Sequence, residues 1–332
     1  MSPIFITGHI KTGTSLMAAL LDNHPELIVF PEEMFLFSKL NRIKKRGSPT
    51  FNEFWNSFFN DVQIKKMFGD ESEGLFGNAD YSNFDANEFK KLCVNSSTDY
   101  AITKNHLIVF YKKIFESYLS VMNFSNDKRW VEKTPMNEFN FFYWKHFYPH
   151  CKFIYMRRNP LEVFSSIKKK RSIEDIDYSI YNFITKYKTS NTLADHLELK
   201  YPRNFKIIQL EDLKSNSNTV NEIISFLSVE YNDTFKIPTK MGKEWRGNSM
   251  FSGNKTHGIN NKSYENERKK IISDNEKKKI ENLIINNKKP IYDFSFLQFN
   301  YLYYLKVIFI DLWVKRFLRG KKSYDSPLNL ME

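Results

Sequence analysis

Residues 3–25 read PIFITGHIKTGTSLMAALLDNHP and hold the clearest structural signal in the chain. The apolar run at residues 3–7 predicts a buried β-strand, and the segment from Gly8 to Thr14 predicts a glycine-containing loop that leads into a helix. We expect that helix to end at residues 23–25, because the residue before a proline is pushed out of the α region. The stretch therefore predicts one strand–loop–helix unit.

The loop from Gly8 to Ser15 lies where backbone N–H groups and a helix dipole form an anion-binding site. Gly8 and Gly13 have the spacing of a Walker A loop, but Thr14 occupies the position where that motif requires a lysine. The lysine lies earlier, at Lys11. Because this arrangement lacks the usual clamp on the β- and γ-phosphates, it disfavours an ordinary ATPase. A glycine turn without a ligand remains an alternative.

A second strand–turn–helix unit is predicted farther along the chain. Residues 152–156 form an apolar strand pattern, which is followed by a turn and by a helix pattern at residues 161–170. In this unit Arg158 offers a planar fork to a phosphate, and Ser166 on the next helix adds a hydroxyl donor. Taken alone, the Arg-Asn-Pro turn also fits a purely structural role.

Further elements alternate between strand and helix patterns. Residues 206–210 predict another strand, and a helix is predicted near residues 220–227. Residues 34–120 are expected to be mainly helical, because their aromatic and aliphatic residues recur at spacings of three and four. Strands that alternate with helices predict an α/β fold with a central parallel sheet covered on both faces.

The C-terminal part differs in composition from the rest. Residues 294–318 are dense in aromatic and aliphatic side chains, but the longest uncharged run, residues 294–305, is shorter than the roughly 20 residues of a membrane-spanning helix. We expect an aromatic-rich helix here that lies on a membrane surface, docks on the core or pairs with another subunit. The predicted division is a main domain at residues 1–290 and a tail at residues 291–332.

Charge and cysteine content narrow the classes of partner and compartment. The formal net charge of +12 favours anionic ligands, although scattered lysines also make an ordinary solvated basic surface. Cys93 and Cys151 are far apart and lack the spacing of a zinc site or a disulfide framework. We therefore expect a reducing, cytoplasmic location and no metal. The strand pattern follows Met1 closely, so we expect no secretion signal.

Residues 4–25, with their Lys-Thr-Gly-Thr-Ser loop and Asp-Asn-His-Pro ending, resemble the 5′-phosphosulfate loop of sulfotransferases that use 3′-phosphoadenosine 5′-phosphosulfate (PAPS). Residues 153–166 are similar to the 3′-phosphate element of that superfamily. The likeness is to bacterial members and to carbohydrate and tyrosylprotein sulfotransferases, and it implies a P-loop-like three-layer fold. The nucleotide-binding residues that it implies are Lys11, Thr12, Gly13, Thr14, Ser15, Arg158 and Ser166.

A weaker resemblance covers residues 244–249. They are similar to a Trp-x-Gly-Asn-Ser loop that closes over the nucleotide in bacterial and Golgi-type relatives. This likeness implies that Arg246, Asn248 and Ser249 also bind the nucleotide. One departure is Leu210, which stands where tyrosylprotein-type relatives carry a tyrosine against the adenine.

The resemblance also implies a catalytic glutamate just beyond the first helix. When the family's motif is placed on this sequence without gaps from the phosphate loop, the catalytic position falls on Glu32. A shift of one residue would place it on Glu33. A carboxylate or a histidine is suited to accept the proton of an acceptor hydroxyl. The alternative for both glutamates is a structural one, since acidic residues favour the first turn of a helix. His9 and His106 are fallback bases without a supporting motif.

Two lysines are implied as catalytic cations. Residues 130–135 resemble the family's Glu-Lys-Thr-Pro turn, in which Lys133 points beside the phosphosulfate. Lys11 contacts the transferring group from the phosphate loop. Fixed cations stabilise the charge that develops on the leaving oxygen. The alternative for the 130–135 segment is an ordinary surface turn.

The resemblance implies a sulfotransferase that moves a sulfuryl group from PAPS to an acceptor hydroxyl without a metal. A carbohydrate or glycolipid is the first expectation for the acceptor, and a peptidyl tyrosine or small phenol is the second. A P-loop kinase acting on a small hydroxyl compound is an alternative, but it requires the lysine that the loop lacks. A nucleic-acid-binding module would rest on net charge alone, so we expect no nucleic acid partner.

Overall fold

A five-stranded parallel sheet forms the centre of the computed structural model. The structure describes residues 2–69, 79–94, 99–173, 178–215, 217–245, 247 and 270–286. The strands are β1 (Ile4–Gly8), β2 (Leu27–Val29), β3 (Arg129–Lys133), β4 (Lys152–Arg157) and β5 (Phe205–Gln209). They lie in the order β2-β3-β1-β4-β5, and all neighbouring pairs are parallel. The predicted α/β fold with a central parallel sheet is confirmed.

Helices connect the strands and cover the sheet. The α-helices are α1 (Thr14–Leu21), α2 (Leu36–Lys44), α3 (Phe51–Phe59), α4 (Val62–Lys65), α5 (Ala86–Val94), α6 (Leu107–Met122), α7 (Phe141–Phe147), α8 (Pro160–Ile173), α9 (Ile180–Lys200), α10 (Leu210–Ser215), α11 (Ser217–Leu227) and α12 (Asp274–Ile280). Single turns of 3₁₀-helix lie at Lys66–Phe68, Lys104–His106, Asn137–Asn140 and Asp233–Lys236, and a π-helical turn lies at Glu281–Ile285. Among these described helices, none is long and apolar enough to cross a membrane.

The central strand β1 is buried on both faces, which explains its unbroken apolar sequence. Successive side chains of a strand point to opposite faces. Phe5 stacks against Trp144 and Phe153 on one face, with ring centroids 4.7 and 4.8 Å apart. Ile4 and Ile6 pack on the other face, in a separate apolar cluster. The strand that leads into the phosphate loop is therefore fixed by cores on both sides.

The helices α2 to α6 form an aromatic core against one face of the sheet. The predicted helical character of residues 34–120 is confirmed in the parts that the structure describes. Phe54 and Phe58 are completely buried, and Trp55 is 2% exposed. These rings contact one another and Phe110 of α6. The aromatic stripes of this segment are therefore core residues.

Two smaller apolar clusters complete the packing. On the opposite face, Leu20 of α1 and Ile223 of α11 pack with Ile154 of β4. A third cluster joins α8, α9 and α12 and includes Phe164 and Ile280. The helix α8, which follows the second predicted turn, is thus packed on two neighbours.

The structure differs from the sequence prediction in several places. Residues 129–133 form β3, a strand inside the sheet, so the alternative of a surface turn at residues 130–135 is wrong. The 21-residue helix α9 was not predicted, because its apolar positions do not form a clear stripe. The predicted strand at residues 206–210 is shifted by one residue, and Leu210 instead begins α10. The predicted tail at residues 291–332 and its boundary lie outside the described residues.

Candidate active site

The loop between β1 and α1 has a backbone that requires its glycines. Gly8 has φ +139° and Gly13 has φ +101°, and a Cβ atom on Gly8 would lie 2.4 Å from the carbonyl oxygen of Met156. Thr12 closes the loop, because its Oγ1 donates to the carbonyl oxygen of His9 over 2.6 Å. Gly13 is the N-cap of α1 and has no side chain with which to bond the first helical N–H groups. These N–H groups therefore suit an anion.

Arg158 joins the two predicted phosphate corners, which are the loop at residues 8–15 and the Arg-Asn-Pro turn at residues 158–160. Its Nη1 donates to the carbonyl oxygen of Lys11 over 3.1 Å. Its Nε and Nη2 both donate to Oε2 of Glu162, over 2.9 and 2.6 Å. Ser166 lies one turn farther along α8, where its Oγ donates to the carbonyl oxygen of Glu162. The structure thus brings Lys11, Arg158 and Ser166 to one end of the sheet.

The two candidate glutamates each contact a lysine. After β2 the chain continues beside β3, since Phe30 N donates to the carbonyl oxygen of Val131. Glu33 then pairs with Lys133 at the end of β3, with side chains 20% and 10% exposed. Glu32 is more deeply buried, and its side chain is 5% exposed. The predicted residues Glu32, Glu33 and Lys133 therefore lie close together.

Sequence reasoning missed the two residues that hold Glu32. Tyr81 OH donates to Oε1 of Glu32 over 2.5 Å, and Lys240 Nζ donates to the same oxygen over 2.6 Å. Lys240 lies on a short antiparallel hairpin formed by β6 (Thr239–Lys240) and β7 (Lys243–Glu244). Met241 and Gly242 form the two-residue turn of this hairpin, and both have positive φ, as in a type I′ turn.

A buried carboxyl group supports the lysine at the end of β3. Glu132 points away from Lys133 and is 3% exposed. It accepts hydrogen bonds from Thr134 Oγ1 and from Asn137 Nδ2. Burial raises the pKa of Glu132 to about 7, although the Thr134 hydrogen bond and the charge of Lys133 oppose this rise. Its hydrogen bonds fix the turn that follows Lys133.

A second buried carboxyl group lies beneath the phosphate loop. Glu138 accepts hydrogen bonds from Thr7 Oγ1 and from Ser190 Oγ, and its own backbone N–H donates to Thr7. Ser190 also contacts the hydroxyl of Tyr155 over 2.7 Å. Burial raises the pKa of Glu138, and these hydrogen bonds lower it in part. The network fixes the end of β1 directly before the loop.

The two histidines considered as fallback bases and Leu210 lie in different environments. His9 is 1% exposed and lies against Phe183, and burial lowers its pKa to about 4, so the ring is neutral at pH 7. His106 accepts a hydrogen bond from Thr103 N at the start of a 3₁₀ turn. Leu210 covers the phosphate loop, because a Cβ atom on Gly13 would lie 2.8 Å from its Cδ1. The predicted nucleotide contacts outside the described residues are Arg246, Asn248 and Ser249.

The fold and these motifs agree with comparisons to known proteins. A family described as "Sulfotransferase family" matches residues 3–233. No curated protein sequence matches the chain significantly. Within the described ranges, no group of three or more His, Cys, Asp or Glu residues is placed to hold a metal ion.

Sulfotransferases are among the solved structures to which the chain is similar. The sulfotransferase domain from the curacin biosynthetic pathway is 16% identical, with a TM-score of 0.52 over 85% of this chain and 96% of that domain. The sulfotransferase domain of the Synechococcus PCC 7002 olefin synthase is 13% identical, with a TM-score of 0.44 over 94% and 95%. Because the family match covers most of the chain and includes both predicted phosphate corners and the strands that carry them, the protein belongs to the sulfotransferase family.

Proposed function

We propose that the protein transfers a sulfuryl group from PAPS to a hydroxyl group, with a carbohydrate or glycolipid as the first choice of acceptor. The observation that carries the proposal is the 3.1 Å hydrogen bond from Arg158 Nη1 to the carbonyl oxygen of Lys11. This bond joins the two corners whose motifs resemble the elements for the 3′- and 5′-phosphates. One nucleotide with phosphates at both ends can therefore contact both corners.

The proposed nucleotide site uses backbone and side-chain donors. Residues 12–15 hold the 5′-phosphate through N–H groups at the start of α1. Arg158 and Ser166 hold the 3′-phosphate, which draws the guanidinium partly away from Glu162. The further proposed contacts are Arg246, Asn248 and Ser249.

The proposed chemistry needs a base for the acceptor's proton and cations for the leaving oxygen. PAPS supplies the sulfuryl group, and its phosphate leaves with the negative charge. Lys11 in the loop and Lys133 at the end of β3 stabilise that charge. Glu32 accepts the proton, and Glu33 is the second candidate. Glu33 ranks lower because its ion pair engages Lys133, the cation that the leaving group needs.

A peptidyl tyrosine or a small phenol is the second class of acceptor. The buried aromatic rings of α3 give no support for stacking on sugar rings. A kinase is disfavoured, because Thr14 stands where a Walker A loop has its lysine.

Calorimetry with 3′-phosphoadenosine 5′-phosphate (PAP) tests the nucleotide site. The wild-type protein should bind PAP, and Lys11→Ala and Arg158→Ala should each weaken binding by about tenfold or more, as expected for lost charge-assisted phosphate contacts. Lys91→Ala is the matched control, since the Lys91 side chain is 77% exposed on α5. Absence of PAP binding by the wild-type protein would overturn the proposal.

A transfer assay with radiolabelled PAPS identifies the acceptor and the base. Carbohydrates, glycolipids, tyrosine peptides and phenols are tested in turn, with EDTA present to separate sulfuryl transfer from metal-dependent kinase chemistry. Glu32→Gln should abolish transfer while PAP binding persists. If Glu33→Gln abolishes transfer and Glu32→Gln does not, Glu33 is the base.

We extend the proposal to domain organisation and location. Residues 1–290 form the sulfotransferase domain, in which residues 34–120 lie on the acceptor side, and residues 291–332 form a tail that contacts a membrane surface or a second subunit. A cytoplasmic location is supported by Cys93 and Cys151, which are both free and buried. Flotation with vesicles, with and without residues 291–332, tests the membrane contact.

A further inference from the structure

The hairpin of β6 and β7 brings a lysine onto the proposed catalytic carboxylate. Lys240 Nζ lies 2.6 Å from Oε1 of Glu32, and the two side chains are 21% and 5% exposed. The residues are 208 positions apart in the sequence. Because the two residues are so far apart in the sequence, their ion pair requires the hairpin to be held against the sheet.

The hairpin is held by the end of the helix that follows the phosphate loop. Asp22, the C-cap of α1, accepts hydrogen bonds from Thr239 Oγ1 over 2.8 Å and from Gly242 N over 2.9 Å. Lys240 lies between these two anchored positions. Burial raises the pKa of Asp22, while these hydrogen bonds lower it in part. The backbone of Lys240 is thus tied to the helix that starts at the phosphate loop.

A second donor binds the same carboxylate oxygen. Tyr81 OH lies 2.5 Å from Oε1 of Glu32. Burial, followed by the charge of Glu32, raises the pKa of Tyr81 well above its usual value. The phenol therefore keeps its proton and donates a hydrogen bond to Glu32. Two donors on one oxygen favour the ionised form of a carboxyl group.

Several other charged or titratable groups face this pair. They are Asp22, Lys66, Tyr118 and Lys133. Burial lowers the pKa of Lys240, and the charge and hydrogen bond of Glu32 raise it again, while Lys66 and Lys133 lower it. Removing one partner of a buried ion pair leaves an uncompensated charge, so the Glu32 carboxylate depends on the ammonium group of Lys240 to balance its charge.

We propose that Lys240 is a positioning residue that keeps Glu32 ionised and oriented for catalysis. This inference rests on the proposed function, in which Glu32 is the base. The ammonium group makes the carboxylate a weaker base but ensures that it is unprotonated when the acceptor arrives. Tyr81 donates a hydrogen bond to the same oxygen.

The direct test follows the ionisation of Glu32 without using an acceptor. NMR of protein labelled at the glutamate carboxyl carbons gives one resonance that Glu32→Gln removes, and its titration is recorded against pH. In Lys240→Met and Lys240→Gln its midpoint should move upward by about one to three pH units, because an opposite charge in contact has been lost. Lys240→Arg should restore the wild-type midpoint.

Lys243→Met is the matched control for these variants. Lys243 lies on the same hairpin, but it pairs with Asp80 at the surface, where the side chains are 53% and 46% exposed. The control should leave the titration of Glu32 unchanged. Two substitutions at Lys240 are used so that a folding defect in one of them does not decide the result. An unchanged midpoint in the folded Lys240 variants would overturn the inference.

Kinetic measurements test whether the charge of Lys240 affects catalysis. With an acceptor from the transfer assay, the acidic limb of the pH–rate profile should move upward in Lys240→Gln by the same amount as the NMR midpoint. If the midpoint moves but the limb does not, Lys240 does not act in catalysis. If the wild-type protein neither binds PAP nor transfers sulfate, the proposed function fails, whatever the NMR titration gives.

Discussion

Replacing Glu132 with Gln should reduce the fall in the free energy of unfolding that occurs when the pH is raised to alkaline values. Glu132 is 3% exposed behind the proposed site, and burial raises its pKa from 4.5 to about 7. Between these two values the native state binds more protons than the unfolded chain, so the free energy of unfolding falls as pH rises. Below pH 4.5 the carboxyl group is protonated in both states and has no effect.

The pKa values set the magnitude of this effect. A pKa difference of about 2.5 corresponds to about 3 kcal/mol when Glu132 is fully ionised, because one pKa unit is about 1.4 kcal/mol. About 1 kcal/mol of this loss is already present at pH 5.5. We therefore expect a further loss of about 2 kcal/mol between pH 5.5 and pH 8.5.

Gln is the appropriate replacement, because it matches the protonated acid. Its Oε1 can still accept from Asn137 Nδ2. The bond with Thr134 reverses direction, because the Gln Nε2 would donate to Thr134 Oγ1, as the hydroxyl of a protonated acid would. Urea unfolding at pH 5.5 and 8.5 measures the free energy of unfolding for wild type and variant. The free energy of unfolding of Glu132→Gln, relative to that of wild type, should increase by about 2 kcal/mol from pH 5.5 to pH 8.5.

Glu88→Gln is the control for this experiment. Glu88 is exposed on α5, where it pairs with Lys91 three residues later. Its substitution should change stability by the same small amount at both pH values, since surface ion pairs contribute about 0–1 kcal/mol. If wild type and Glu132→Gln lose stability in parallel as pH rises, the buried carboxyl group is not the cause.

Two further substitutions test the phosphate corners. Gly13→Ala should cost about 1–2 kcal/mol of stability in urea unfolding, because its φ of +101° is unfavourable for alanine and the new Cβ meets Leu210. It should also weaken PAP binding by calorimetry, and a variant as stable as wild type would contradict the described loop. Glu162→Gln should strengthen PAP binding about two- to fivefold, because the carboxylate competes with phosphate for Arg158 at a partly exposed site. Weaker binding would mean that Glu162 instead orients the guanidinium.

The sequence predicted the elements that depend on local patterns. The strand, loop and helix at residues 3–25 and the unit at residues 152–170 are present, with ends that differ by a few residues. Both signals are short-range, because they consist of apolar runs, glycine and the residue before a proline. Lys11 and Arg158 lie side by side because β1 and β4 are parallel neighbours, which places their following loops at one edge of the sheet. This strand order was not predicted from the sequence.

The sequence could not predict the contacts between distant segments. The pairing of Lys240 with Glu32 depends on a two-stranded hairpin whose position is set by Asp22. The contact of Tyr81 with Glu32 depends equally on tertiary packing. Lysine and tyrosine in polar segments carry no pattern that distinguishes such contacts from solvent exposure. The roles proposed for Glu32 and Glu33 therefore stay predictions, now with defined neighbours.

The strand order places the proposed base and the proposed 3′-phosphate contact on opposite sides of β1. Glu32 and Lys133 follow β2 and β3 on one side of β1, whereas Arg158 follows β4 on the other side. The segment from α2 to α6 is inserted only between β2 and β3. On the proposed function, exchange of that insertion would alter the acceptor side of the site, while the register of β1 with β4 beside the proposed nucleotide site stays the same.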